Sequence, residues 1–200
     1  MLFRSVPESW SPKGDRFLFS ATKDSKVTLW TFSLQDKKAV AFGGVQSAIP
    51  TNAAFSPDSR WVAYQASENA ASSQIYVQPY PTTGATYQIT KRESGVRAQP
   101  HSPFWSPDGK QLFYVPGQNR FVVVGVNTQP GLTFGNPVEV PRGGFLGSGQ
   151  ASQRTIDVMP DGRILARVPA GQMQSRTSAA PQIQVVLNWT EELKQRVPTR

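Results

Sequence analysis

The chain contains no cysteine. Disulfides, thiolate metal sites and cysteine nucleophiles are excluded together, while the redox compartment stays open because a cysteine-free chain works in either. Histidine is almost as scarce: His101 is the single one. It follows Pro100 in a segment that reads as a loop, and Gly147-Ser148-Gly149 lacks the spacing of a Gly-x-Ser-x-Gly nucleophile elbow. A serine-hydrolase arrangement therefore has neither its base nor its nucleophile in place. Acids are few, 13 against 21 Lys and Arg, and too dispersed for a calcium loop or a His/Asp/Glu metal cluster. No apolar run approaches the roughly 20 residues of a membrane-spanning helix. Met1-Leu2-Phe3-Arg4 leads at once into Pro7 and a strand pattern, unlike a signal peptide, so any export signal is expected upstream. No catalytic residue, metal ligand or cofactor is assigned from the sequence.

What is present is turn chemistry and aromatics. With 16 Gly, 17 Pro and 10% aromatic residues among short apolar runs, the composition predicts an all-β fold rather than a disordered chain. Four segments repeat: Ser9 to Phe19 (SWSPKGDRFLF), Ala54 to Tyr64 (AFSPDSRWVAY), Phe104 to Tyr114 (FWSPDGKQLFY) and Asp157 to Ala166 (DVMPDGRILA). Their prolines, Pro12, Pro57, Pro107 and Pro160, lie 45, 50 and 53 residues apart, the period of a four-stranded propeller blade.

Each part of the repeat has a mechanical reason. The large apolar residue two before the proline (Trp10, Phe55, Trp105, Val158) ends one strand and is expected in the packing between blades. Proline presets φ in the turn, aspartate caps its backbone and glycine accepts positive φ. Capping accounts for Asp58, Asp108 and Asp161, and for Asp15 one place later, without a paired-carboxylate glycosidase site. Alternation after the turn (Phe17/Phe19, Trp61/Ala63, Leu112/Tyr114) predicts a second strand. Third strands are predicted at 27–32, 74–78 and 120–125, and fourth strands at 39–42, 86–90 and 137–140. The last unit is weaker, with strands at 155–158, 163–168 and 182–189. The predicted fold is a β-propeller of four-stranded antiparallel blades, about four of them, at residues 5–45, 50–92, 98–141 and 150–192.

The SPDG-type turn before an aromatic strand, followed by IYVQPY and YQIT, resembles the WD-like repeats of TolB-type propellers over essentially the whole chain. Gln74 to Thr90 and the tail Ile183 to Lys194 (IQVVLNWTEELK) resemble the C-terminal propellers of large bacterial, acidobacterial-type proteins. In those, a serine/threonine kinase or winged-helix regulator domain precedes the propeller. The resemblance implies a sensory or protein-binding role and points to the periplasm. It carries over no kinase activity, since no glycine-rich nucleotide loop, His-Arg-Asp or Asp-Phe-Gly segment occurs. Propellers of this type have six or more blades, so the chain is expected to be part of a longer product or to self-associate to complete a ring.

The formal net charge is +8, which suits an anionic partner. In a meander, the loops before strand one and between strands two and three share one end of the blade. Sorted this way, the positive excess, including Arg154, gathers around one mouth of the channel. Lys91, Arg92, Arg97, His101 and Arg120 group near the third blade and form the candidate binding site. A protein partner or anionic ligand is expected there; no nucleic-acid recognition motif is present. The function expected is a non-catalytic binding or scaffolding propeller in a bacterial signalling or envelope protein. The alternative is a propeller enzyme, a hydrolase or lyase, or the accessory domain of a prolyl-oligopeptidase-type peptidase.

Overall fold

The repeated turn dictates how each sheet begins. Ser11, Ser56 and Ser106 are buried immediately ahead of their prolines. Each hydroxyl accepts the backbone N–H five residues on, from Arg16 at 3.2 Å, Trp61 at 3.0 Å and Gln111 at 2.9 Å. The same hydroxyls donate to Asp15, Asp58 and Asp108 at 2.7, 2.6 and 2.6 Å. Asp58 and Asp108 also accept the N–H of Arg60 and Lys110, both at 3.0 Å. Asp15, displaced by one place, instead pairs with the Arg16 guanidinium at 2.6 Å. That pairing, with the Ser11 bond, holds its carboxyl down at about 2. The acids of the repeat are turn residues, as their spacing implies.

These turns nucleate antiparallel sheets in a computed structural model that describes residues 4–69, 72–91, 99–116, 120–129, 131–141, 153–159, 161 and 163–166. All belong to one compact unit, Met1–Pro169, and every regular element among them is a β-strand. The first sheet is a meander of β1 (Arg4–Trp10), β2 (Arg16–Lys23), β3 (Lys26–Ser33) and β4 (Lys38–Ser47). The second repeats it with β5 (Ala54–Phe55), β6 (Trp61–Ala66), β7 (Gln74–Pro79) and β8 (Tyr87–Gln88). The third has β9 (His101–Trp105), β10 (Gln111–Val115) and β11 (Arg120–Asn127). Its outer place is shared by β12 (Thr133–Phe134) and β13 (Val138–Pro141), which pair with successive stretches of β11. The fourth sheet contains β14 (Ile156–Val158) and β15 (Ile164–Ala166). The strand expected at 182–189 lies outside the described residues.

Strand alternation gives each sheet two apolar faces, and the core consists of layers between sheets. The trailing face of sheet 1 (Leu18, Leu29) packs with the leading face of sheet 2 (Phe55, Val62, Tyr64). The trailing face of sheet 2 (Ala63, Ile75, Val77) packs with the leading face of sheet 3 (Trp105, Leu112, Tyr114). Phe104, Val115 and Phe121 then meet Ile156 of sheet 4. Phe55 and Trp105 are each only 6% exposed, as expected of residues between sheets, but their counterpart Trp10 is 59% exposed. Trp10 departs because no sheet lies on the leading face of sheet 1 among the described residues.

The third residue after the turn serine takes positive φ in all three complete turns: 67° at Gly14, 60° at Ser59 and 70° at Gly109. Only Ser59 carries a Cβ into this left-handed region. Replacing Ser59 with Gly is expected to stabilise the protein by about 0.5–1 kcal/mol. Urea unfolding of the two proteins measures this directly; an unchanged or lower midpoint would refute strain at Ser59.

Candidate functional site

The first strands of the sheets run next to one another, β1 by β5, β5 by β9 and β9 by β14, so they line a common axis. In the first three sheets this innermost strand carries an extra residue at the same place. The register of β1 on β2 slips between Pro7 and Ser9, and that of β9 on β10 between His101 and Phe104. In the second sheet Ala54 pairs with Ala63, yet the Gln65 N–H reaches the Thr51 carbonyl at 2.8 Å, which is the same one-residue surplus. Asn52 and Ser102 occupy equivalent places in this bulge with φ of 45° and 53°. A bulge re-aims side chains and leaves ladder groups for other partners. Here it aims polar groups at the axis.

Those groups tie one sheet to another. Glu8 of β1 accepts from the Thr51 hydroxyl at 2.9 Å and from the Ala53 N–H at 3.0 Å. Gln65, fully buried, donates to the Pro50 carbonyl at 2.7 Å and accepts the Ser102 N–H of the third sheet at 2.7 Å. Asn52 accepts the Arg154 N–H at 2.9 Å, and the Arg154 guanidinium donates to the Pro103 carbonyl at 3.0 Å. Sheets 1 to 4 are thus cross-linked by side chains near one line. A cavity of about 510 Å³ opens beside them, lined by Glu8, Asn52, Arg154 and Asp157. A second, of about 340 Å³, shares Arg154 and Asp157 and reaches the turn prolines Pro12, Pro57 and Pro107.

Burial shapes the charges here. It pushes the Glu8 carboxyl above its usual value of 4.5, outweighing the bonds from Ser20, Thr51 and Ala53 and the attraction of Arg154. Burial likewise lowers the Arg154 guanidinium, against the attraction of Asp157 and Glu8. Arg154 was expected at the basic mouth; the structure turns it into the axis, because its backbone and guanidinium satisfy Asn52 and Pro103. Sequence reasoning passed over Glu8. The signal was there: Glu8 holds a slot that is Ala53, Pro103 and Ile156 in the other repeats, a lone acid in an apolar position.

The five candidate mouth residues are placed as follows. Lys91 is exposed just beyond β8, and Arg92 and Arg97 lie outside the described residues. His101 opens β9 but is 4% exposed, with its Nδ1 2.7 Å from the Gln99 carbonyl. Arg120 opens β11, exposed, and pairs with Glu139 of β13 at 2.5 Å. The meander puts the end of β8 and the starts of β9 and β11 at one end of the sheets. Among the described residues no group of three acids or histidines is arranged to hold a metal, and no helix is long and apolar enough to cross a membrane.

Four-stranded meanders stacked face to face about an axis, each first strand innermost, have solved counterparts. The putative TolB of Agrobacterium tumefaciens superposes with a TM-score of 0.55 at 18% identity, over 82% of this chain and 57% of that one. The fold is a β-propeller. TolB from Acinetobacter baumannii matches with a TM-score of 0.54 at 16% identity, over 84% of this chain and 39% of its own. The propeller domain of the Trilobed protease from Pyrococcus furiosus, described as having an open velcro topology, matches at 0.52 and 16%, over 72% and 44%. This propeller therefore spans well under two thirds of the chains it resembles, and the TolB-type likeness of its repeats extends to three dimensions. No protein-family model and no curated protein matches the sequence.

The axial carboxyl gives the propeller a pH signature. A carboxyl whose folded value is raised favours the folded state below its unfolded value of 4.5. It loses that advantage as pH rises through the folded value. Raising the pH from below 4.5 to neutrality should therefore cost the wild-type protein more stability than Glu8→Gln, which has no such group. Urea unfolding of both proteins across this range supplies the comparison, and parallel curves would mean that Glu8 is not the source.

Proposed function

We propose that this chain is a binding propeller that takes an anionic protein surface or ligand at the blade ends near Lys91 and Arg120, with Arg92, Arg97 and His101 as the further candidates named from the sequence. One observation carries the reading. The chemistry-bearing residues Glu8, Gln65 and Arg154 are engaged in holding blades together, which leaves the loops as the surface that meets a partner. Lys91 is exposed in such a loop, and the net charge of +8 favours an acidic partner. In a larger bacterial signalling or envelope protein, such as a kinase-linked one, the module would sense or recruit for its neighbour. A rival reading, an enzyme working in the axial cavity, draws support from Glu8 and Asp157. Both line that cavity, with Glu8 raised by burial.

The test is fluorescence anisotropy with a labelled poly-glutamate peptide at about 50 and about 300 mM salt, which contrasts weak with strong screening. Binding should weaken with salt. Replacing Lys91, Arg92 and Arg97 by Ala should weaken it roughly tenfold at low salt, from three cations at about 0.5 kcal/mol each. Salt-independent binding, or a triple variant that binds as the wild type, would rule out the basic loop end.

A further inference from the structure

Equivalent positions in successive blades show one layer that departs from the next. Between blades 2 and 3 the layer is apolar: Tyr114 pairs in register with Val122 and Leu112 with Val124. These four pack with Leu132, Tyr87 and Ile89. Between blades 1 and 2 the same two positions of the third strand are polar, where Tyr64 pairs with Tyr76 and Val62 with Gln78. Gln78 is 5% exposed, and an amide in a valine's place is costly to bury unless it is bonded. It donates to the Tyr64 hydroxyl at 2.9 Å and to Thr86 at 3.0 Å.

The facing wall is shaped to admit it. In β4, Ala41 pairs with Trp30 and Gln46 with Thr28, so residues 42–45 stand opposite Leu29 alone. Gly43 and Gly44 carry this bulge with φ of 54° and 66°, a region open to glycine at no steric cost. A Cβ on Gly43 would run into the Gln78 amide, whereas one on Gly44 would meet open space. Beside the bulge lies a cleft of about 370 Å³, with both walls supplied by blades 1 and 2. Its volume falls in the range of small-molecule sites, about 300–1,000 Å³.

The lining chemistry selects the occupant. Five amide side chains line the cleft, among them Gln46, Gln74, Gln78 and Gln88, together with Tyr64 and Tyr76, stacked with centroids 5.6 Å apart. Glu68 is the one charged residue of this lining, which holds no Lys, Arg or His although the chain carries +8. An anion would find no cation there and would meet Glu68. An amide offers a donor and an acceptor side by side, which matches neighbouring hydroxyls that each donate and accept. An aromatic ring adds apolar surface for C–H groups. A sugar ring presents both.

We propose that this cleft is a binding site for a neutral sugar, its hydroxyls bonded to Gln46, Gln74 and Gln88 and its ring packed on Tyr76. The site is separate from Lys91 and Arg120, so its failure would leave the reading of the basic loop end untouched.

Saturation-transfer NMR and calorimetry on the full chain test it, with glucose, galactose, cellobiose and maltose as probes. At least one of these should bind, and the comparison of monosaccharides with disaccharides tells a free sugar from a glycan chain. The uronic acid of the bound ring should bind several-fold more weakly, because of Glu68. Gln46→Ala and Gln88→Ala, exposed residues on opposite walls, should each weaken binding about three- to tenfold by removing one hydrogen bond, with circular dichroism unchanged. Gln129→Ala, an exposed glutamine beyond β11, should bind as the wild type. Binding of none of the four sugars, tighter binding of the uronic acid or of triglycine, or affinity indifferent to both wall variants would each overturn the proposal.

Discussion

Everything in this fold depends on a sheet having two apolar faces. A meander that buried only one could stop as a single layer, but here both faces of the blades carry apolar side chains. Leu18 and Leu29 alternate with Phe17, Phe19 and Trp30 in blade 1, and Ala63 and Val77 alternate with Val62 and Tyr64 in blade 2. Each blade must therefore find a neighbour on each side, and stacking propagates until a face is left over. A buried large side chain is worth about 1.5–3 kcal/mol. The layers between blades consequently dominate stability, and the isolated strand pairs do not.

Stacking alone leaves the relative slide of the blades loosely set, because apolar contact is not directional. The inner strands supply direction. One surplus residue in each of the three described bulges turns Glu8, Asn52 or Ser102 toward the axis, and hydrogen bonds then fix one blade against another. The arrangement has its own cost. Ser102 Oγ is buried without a hydrogen-bond partner, and the Glu8 carboxyl is held where its charge is disfavoured. Such groups give geometric uniqueness more readily than net stability.

The fold was legible because its determinants are local and repeated. Ser-Pro-Asp-Gly turns at a blade's spacing, followed by alternating apolar residues, specify hairpins of known register. The strands at 26–33, 74–79 and 120–127 duly fall where alternation put them. The site was less legible, for physical reasons. Whether an arginine such as Arg154 faces water or the axis depends on Asn52 and Pro103, more than fifty residues earlier, and no local pattern reports that. The exposure of Trp10 was hidden in a different way. Its repeat slot implies burial, and only the absence of a neighbouring layer among the described residues reverses it.

A propeller with both sheet faces apolar confines most polar chemistry to two kinds of place, the inner-strand bulges and the loops at the blade ends. In this chain the bulges are already engaged: Glu8, Gln65 and Arg154 each bridge blades. Changing one of them for the sake of a ligand would unpair a buried group, at a cost of about 3–5 kcal/mol for a charged one. The loops carry no such constraint, since their backbone hydrogen bonds go largely to water and their sequences can vary without disturbing a layer. A binding specificity can therefore change on the loops while the axis and the layers stay fixed, and this is the physical reason to look for the partner at the blade ends.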